Sequence, residues 1–140
     1  MSGKKQRIFL DTSVIIRFLT ADDAGKYEDC RVLFEMIERG VFFPYSANIV
    51  IMETIFVLTK LYKFPKDRVV KAMRSIFSMR NLTIIEKTNS AKAIGLFAAK
   101  NVSFGDCMIA AQLPVGVRLV TYDADFSHLA ISSVTPSALL

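Results

Sequence analysis

The chain has 140 residues, is 52% hydrophobic and carries a formal net charge of +5 at pH 7. That length accommodates one domain with a single core, and that hydrophobic content excludes a disordered chain. The single histidine excludes a histidine-rich zinc site, and the two distant cysteines are typical of free thiols in a reducing compartment.

A membrane span has to be considered first, because the mean hydropathy is +0.37. The one candidate segment, residues 47–62, is shorter than the roughly 20 apolar residues that cross a bilayer. It also contains Glu53, which would be costly in hydrocarbon, so we predict a helix buried in protein. The basic N-terminus is followed by Asp11 too early for a signal peptide, and we therefore expect a cytoplasmic protein.

The first predicted element is a buried strand over residues 8–10, which delivers Asp11 to its carboxyl end before a short helix over 14–19. In an open α/β sheet, that edge is where ligand sites form. Taken alone, Asp11 fits a turn or a helix cap at least as well. Asp22 and Asp23, which follow the helix, are typical of loop and capping residues.

A helix over residues 26–39 and a short strand over 41–45 come next, and Ser46 can cap the following helix. This helix is apolar nearly all round, so its Glu53 is expected where water is scarce. A buried carboxylate must find a cation, hydrogen-bond donors or a proton. An ordinary salt bridge would satisfy the same requirement.

Positive charge concentrates in the turn and helix that follow, where Pro65 suits the first helical turn and Asp67 is the only acid between residues 60 and 80. The basic residues considered for RNA binding are Lys60, Lys63, Lys66, Arg68, Lys71 and Arg74. This distribution favours a polyanionic partner. A solvated helix face explains it equally well.

The remaining elements are a strand over residues 82–85, a helix through 91–99, a helix with Asp106 in its first turn, and a last strand over 117–122. Asp106 alone is explained by the favourable position of an acid at a helix N-terminus. The last strand ends in Asp123 as the first ends in Asp11, and Asp125 can reach the same place. The alternation of strands and helices predicts one parallel sheet between layers of helices.

If the strands that carry Asp11 and Asp123 are neighbours, Glu53 and Asp106 can meet them over the same edge. Such carboxylates would raise each other's pKa, and a divalent cation is the usual remedy. Oxygen ligands favour Mg²⁺ or Mn²⁺, and one or two such ions can activate a water and stabilise the oxygens of a phosphodiester. The hydroxyl residues that could orient metal-bound water are Thr12, Ser13 and Thr121. A metal pocket beside a positive face is the charge layout that a nuclease needs.

The order of these segments resembles a PIN-domain ribonuclease, and especially the toxin subunit of VapBC-type toxin–antitoxin pairs. The pieces that carry the resemblance lie between about residues 8 and 126, at 8–13, 49–58, 104–111 and 119–126. The resemblance implies a three-layer α/β/α sandwich with a central, mainly parallel sheet, in a single domain over residues 1–140. It also implies a Mg²⁺- or Mn²⁺-dependent endoribonuclease, frequent homodimerisation and a small antitoxin partner.

The acidic quartet of the family carries over to Asp11, Glu53, Asp106 and Asp123, with Asp125 as an auxiliary metal ligand. On this resemblance the four acids are catalytic metal ligands rather than structural residues. Cys107 and Met108 replace the more usual small and apolar pair after the third acid, which should affect packing more than chemistry.

Three alternatives remain open from the sequence. The first is a PIN-type nuclease of RNA processing without a toxin role. The second is a phosphatase or phosphorelay domain with Asp11 as nucleophile, although the haloacid-dehalogenase-type motif has an acid where this chain has Ser13. The third is a non-catalytic RNA-binding domain, whose function would survive loss of the carboxylates.

Overall fold

Five parallel strands form the central sheet of the computed structural model, which describes residues 6–140. They are β1 (Gln6–Leu10), β2 (Phe42–Ala47), β3 (Thr83–Ile85), β4 (Arg118–Val120) and β5 (Ser133–Val134). Their order across the sheet is β3-β2-β1-β4-β5. The basic N-terminal residues at positions 4 and 5 lie outside the described part of the chain.

Helices connect these strands and cover the sheet. They are α1 (Thr12–Thr20), α2 (Ala24–Glu38), α3 (Asn48–Lys60), α4 (Lys66–Phe77), α5 (Ser90–Ala99) and α6 (Phe104–Gln112), with short 3₁₀ helices at Ala124–Leu129 and Pro136–Leu139. The chain moves outward from β1 to β3 and then crosses back to β4. Because parallel crossovers are right-handed, this reversal places α5 and α6 on the sheet face opposite α1 to α4. The predicted α/β/α sandwich is thus confirmed.

The central strands are apolar without alternation because both faces of the sheet are covered. Ile8, Phe9 and Leu10 of β1 are at most 1% exposed, and Leu119 and Val120 of β4 are fully buried. The core therefore lies around β1 and β4. β1 is followed directly by Asp11, and β4 is followed by the turn that carries Asp123.

Ser46 does not cap α3, so that prediction is wrong. It lies inside β2, opposite Ile84, and its buried hydroxyl donates to the carbonyl of Leu10 at 3.1 Å. Parallel pairing extends one residue further, to Ala47, and the helix begins only after it. Hydrogen bonding within the sheet therefore takes the serine that a local capping rule would assign to the helix.

The prediction of a helix buried in protein holds for only one side of α3. Val50, Thr54 and Leu58 are buried, whereas Met52 and Phe56 are 61% and 59% exposed. A helix in the outer layer of a sandwich presents only one side to the sheet, whatever its composition. Across residues 6–140, no helix combines the length and the apolar character needed to cross a membrane.

The edge strand β5 was not anticipated. It pairs with β4, and the carbonyl of Val134 accepts from the backbone N–H of Thr121 at 2.9 Å. Its two residues lie in a polar stretch that shows no strand pattern. Pairing with β4 extends to the start of the turn that carries Asp123.

Candidate metal centre

Two neighbouring strands bring the first and last predicted acids together. β1 and β4 pair in parallel with Leu10 opposite Val120, and the N–H of Asp11 donates to the carbonyl of Val120 at 3.0 Å. The chain leaves β1 towards one side of the sheet and reaches β4 from the other. Such a switch point leaves a crevice at the carboxyl ends of the strands, where ligands bind in open α/β sheets.

A cavity of about 680 Å³ occupies this crevice. All five predicted acids line it, namely Asp11, Glu53, Asp106, Asp123 and Asp125. Carboxylate oxygens of Asp106, Asp123 and Asp125 lie within 4.8 Å of one another. The fold therefore gathers acids from two strand ends and two helices into one pocket.

Asp11 occupies the N-cap position of α1, but its side chain makes no capping hydrogen bond. Its Oδ2 instead accepts from the hydroxyls of Ser13 at 3.1 Å and Thr121 at 2.5 Å. The same two hydroxyl oxygens accept from the backbone N–H groups of Tyr122 and Asp123, both at 2.9 Å. Two hydroxyls therefore fix Asp11 to the turn that carries Asp123.

Glu53 reaches the cavity from α3 and accepts a hydrogen bond from the hydroxyl of Thr12 at 2.9 Å. Its carboxylate lies directly against the backbone of Gly105, where a Cβ atom would overlap Glu53 Oε2. Gly105 is thus needed for close approach rather than for an unusual backbone angle. The sequence offers one clue, since this glycine directly precedes Asp106.

Asp106 enters the cavity from the first turn of α6. The hydroxyl oxygen of Ser103 caps that helix by accepting from the N–H of Asp106 at 3.3 Å. This role of Ser103 was missed, although a serine three residues before an acid is a recognisable capping pattern. Asp106 is buried, with 8% of the residue exposed.

Burial and mutual repulsion raise the pKa of three of these acids, Asp11, Glu53 and Asp106. Burial raises the pKa of Asp106 to about 7, and the charges of Asp123 and Asp11 add to the effect. Burial also raises the pKa of Asp11, against the opposing hydrogen bonds from Thr121, Thr12 and Ser13. The pKa of Glu53 is raised mainly by burial as well. Ionising the whole group therefore requires a compensating positive charge.

The protein does not provide that charge within residues 6–140, where no ion pair involves any of the five acids. Arg17 lines the same cavity, but it pairs with Asp22 at 3.0 Å. A set of carboxylate oxygens with nearby hydroxyls fits a hard divalent cation and is a poor match for zinc. The salt-bridge explanation of Glu53 therefore does not apply here.

The predicted RNA-binding residues lie outside this pocket. Lys60 ends α3, and Lys63 lies in the following turn. Lys66, Lys71 and Arg74 of α4 line a separate surface depression. The guanidinium of Arg68 lies 3.6 Å from the centre of the Phe64 ring. None of the six lines the acidic cavity.

Comparison with known proteins identifies the class. The PIN domain family matches residues 8–132. Because this match spans most of the chain, the chain belongs to the PIN domain family, and the resemblance inferred from its motifs is confirmed. No curated protein matches the chain in sequence.

Solved structures share the fold at low sequence identity. One is VapC20 of Mycobacterium tuberculosis, which is described as a Sarcin-Ricin loop cleaving toxin. It has a TM-score of 0.72 and 21% sequence identity, and the match covers 91% of this chain and 98% of that chain. VapBC2 of Rickettsia felis, bound to a DNA fragment from its promoter, has a TM-score of 0.60 and 18% sequence identity. The match covers 93% of this chain and 96% of that chain. PAE2754 of Pyrobaculum aerophilum has a TM-score of 0.64 and 13% sequence identity, over 96% of this chain and 86% of that chain.

Proposed function

We propose that this chain is a cytoplasmic endoribonuclease that depends on Mg²⁺ or Mn²⁺ and acts as the toxin of a toxin–antitoxin pair. The observation that carries the proposal is the group of five acids that lines one cavity without a cationic partner in the described chain. Membership of the PIN domain family and the likeness to a toxin structure support it.

The residues that would hold the ion are Asp11, Glu53, Asp106 and Asp123, with Asp125 at the exposed side. Each of three acids is anchored through one oxygen: Asp11 by Ser13 and Thr121, Glu53 by Thr12, and Asp123 by the N–H of Asp125. Anchoring one oxygen orients the carboxylate and leaves lone pairs for a ligand. Lewis-acid stabilisation of developing charge on the phosphate oxygens is the chemistry that the ion supplies when bound.

The test is cleavage of a mixed panel of structured and single-stranded RNAs by the purified chain with Mn²⁺, Mg²⁺ or EDTA. Asp106→Asn removes a cavity carboxylate with little change in shape, and Asp29→Asn, on α2 away from the cavity, is the matched control. We expect cleavage that requires the metal, disappears in Asp106→Asn and persists in Asp29→Asn. RNA binding without cleavage by the native chain in either metal, once co-purified antitoxin is excluded, would establish a binding domain instead.

The toxin role, the small antitoxin and a homodimer are parts of the same proposal. The toxin role and the antitoxin are supported by the VapC20 and VapBC2 structures named above, and the homodimer only by the family resemblance. Co-expression with the product of a small adjacent reading frame should relieve growth arrest caused by the chain. Light scattering of the purified chain measures the oligomer. A chain that cleaves RNA without arresting growth would be a nuclease of RNA processing.

A further inference from the structure

The acidic cavity is larger than its metal centre requires. An ion with six waters fills roughly 200 Å³ if each water takes about 30 Å³. The cavity measures about 680 Å³ and is also lined by Ile16 and Arg17 of α1 and by Met52 and Phe56 of α3. At 1.5 Å per residue, Arg17 lies about 9 Å along α1 from Asp11. The cavity therefore continues from the acids along the groove between two helices.

An aspartate orders the far end of this groove. Asp22 Oδ1 accepts from the guanidinium of Arg17 and the hydroxyl of Thr20, both at 3.0 Å, and its Oδ2 accepts from the hydroxyl of Tyr62 at 2.5 Å. Arg17 and Tyr62 both line the cavity, and Arg17 is the only Lys or Arg among the described residues that do so. One carboxylate thus fixes the guanidinium of Arg17 in α1 and the phenol ring of Tyr62 in the loop after α3.

Further aromatic rings and guanidinium planes follow Tyr62 outside the cavity. The Tyr62 and Phe64 rings pack edge to face with centroids 6.0 Å apart, and the Arg68 guanidinium lies over the Phe64 ring at 3.6 Å. Neighbouring lysines at positions 60, 63 and 66 are exposed. Aromatic rings and guanidinium planes beside positive charge are the surfaces on which unpaired bases stack while their phosphates are neutralised.

We propose that Arg17, Tyr62, Phe64 and Arg68 form a subsite for unpaired RNA on one side of the scissile bond, and that Asp22 is its positioning residue. The proposal deepens the nuclease function and rests on it. The rings bind bases, and the guanidinium groups bind the strand's phosphates. A duplex is excluded as the substrate at this subsite because its bases are already stacked on each other.

Binding can be measured apart from cleavage. In the Asp106→Asn background with EDTA, fluorescence anisotropy gives the affinity for a labelled single-stranded RNA and for a blunt-ended RNA duplex of equal length over a series of salt concentrations. Tyr62→Leu should weaken single-strand binding about 5- to 150-fold, the range for one lost base stack, without changing the salt dependence. Arg17→Gln should reduce the slope of log K against log salt by about 0.7.

Two further variants separate binding from folding. Tyr62→Phe keeps the ring but loses the hydrogen bond to Asp22, so it should recover only part of the affinity lost in Tyr62→Leu, and the remaining loss measures positioning by Asp22. Phe64→Leu tests the outer ring if Tyr62→Leu does not fold. Phe97→Leu is the matched control, since Phe97 is an exposed aromatic of α5 that does not line the cavity. The fluorescence of a 2-aminopurine base in the single strand should be quenched on binding to the native subsite, and this quenching should be lost in Tyr62→Leu.

The proposal is overturned if Tyr62→Leu and Phe64→Leu bind single-stranded RNA as tightly as Phe97→Leu, or if both variants lose affinity for the single strand and for the duplex equally. If the same two variants lose the antitoxin complex but keep their RNA affinity, the proposal is also overturned and the subsite is assigned to a protein partner. These outcomes are distinct from failure of the nuclease proposal, because that failure is absence of metal-dependent cleavage by the native chain.

Discussion

The carboxylates at the two ends of the cavity, Asp22 and Asp106, have opposite environments. Asp22 accepts three hydrogen bonds, from Arg17, Thr20 and Tyr62, and the bond from Tyr62 contributes most to lowering its pKa. Asp106 is buried among other acids, and its pKa is raised to about 7. One end is complete within the protein, whereas the other requires a cation from outside. Each prediction below tests that difference, starting with the largest expected effect.

Replacing Asp123 by Asn should have the largest effect. Loss of residues that merely orient metal ligands costs 10- to 100-fold, so loss of a ligand should reduce metal-dependent cleavage by more than about 100-fold. Asp125 is exposed, and its carboxylate accepts no hydrogen bond within residues 6–140, so Asp125→Asn should reduce cleavage by about 10-fold or less. Initial cleavage rates at several Mn²⁺ concentrations measure both. Equal losses in the two variants would make Asp125 a full ligand.

The metal-free chain should lose stability as pH rises from about 4 to about 7. In this window the folded state keeps a proton on Asp106 that the unfolded state releases, because the folded pKa is the higher one. The stabilisation is complete below the unfolded pKa and is lost as pH passes the folded value. Mn²⁺ at a hundred times its dissociation constant should restore about 2.7 kcal/mol.

Urea unfolding at pH 5 and pH 8, with and without Mn²⁺, measures this linkage. Asp106→Asn should show a smaller loss of stability between the two pH values. A native chain that is equally stable at both pH values and indifferent to Mn²⁺ would contradict the assignment of a cation-deficient site.

Thr121→Val should reduce cleavage about 10- to 100-fold, because it removes the donor to Asp11 and the acceptor for the N–H of Asp123. Thr121→Ser keeps the hydroxyl and should recover most of the rate. The comparison is made at saturating RNA while Mn²⁺ is varied. Equal rates for the valine and serine variants would show that this hydroxyl does not position the acids.

Gly105→Ala should reduce cleavage by about 10-fold without destabilising the fold. The added methyl displaces the Glu53 carboxylate, while alanine suits a helix better than glycine by about 0.5–1 kcal/mol. Gly95→Ala in α5 is the control, since a Cβ there meets nothing within 4 Å. It should add the same stability and leave the cleavage rate unchanged. A fully active Gly105→Ala would remove Glu53 from the ligand set.

Asp22→Asn should have the smallest effect, a loss of about 0.5–1 kcal/mol in stability at neutral pH, because its ion pair is partly exposed. Its lowered pKa means that the native stabilisation is present above about pH 4 and is lost as pH falls further. Asp23→Asn, which retains the N-cap bond from the N–H of Lys26, is the control. Urea unfolding at acid and neutral pH would contradict the prediction if both variants behaved alike.

The acids at the sheet edge were predictable because their signal is local. Each apolar run that forms β1 or β4 is short, is buried on both faces and is followed within three residues by a carboxylate, so strand, edge and acid are read from one short segment. The helices were predictable for the same reason. The two-residue strand β5 was not, because its pairing depends on β4 rather than on its own pattern.

Only the tertiary structure decided which residues meet across long separations. Glu53 lies against Gly105, Tyr62 bonds to Asp22, and Ser46 bonds to the sheet instead of capping a helix. Exposure of one face of α3 likewise depends on which layer the helix occupies. The amino-acid sequence determines periodicity and chemistry within a segment, but contacts between segments depend on how the strands are ordered and how the helices pack on them.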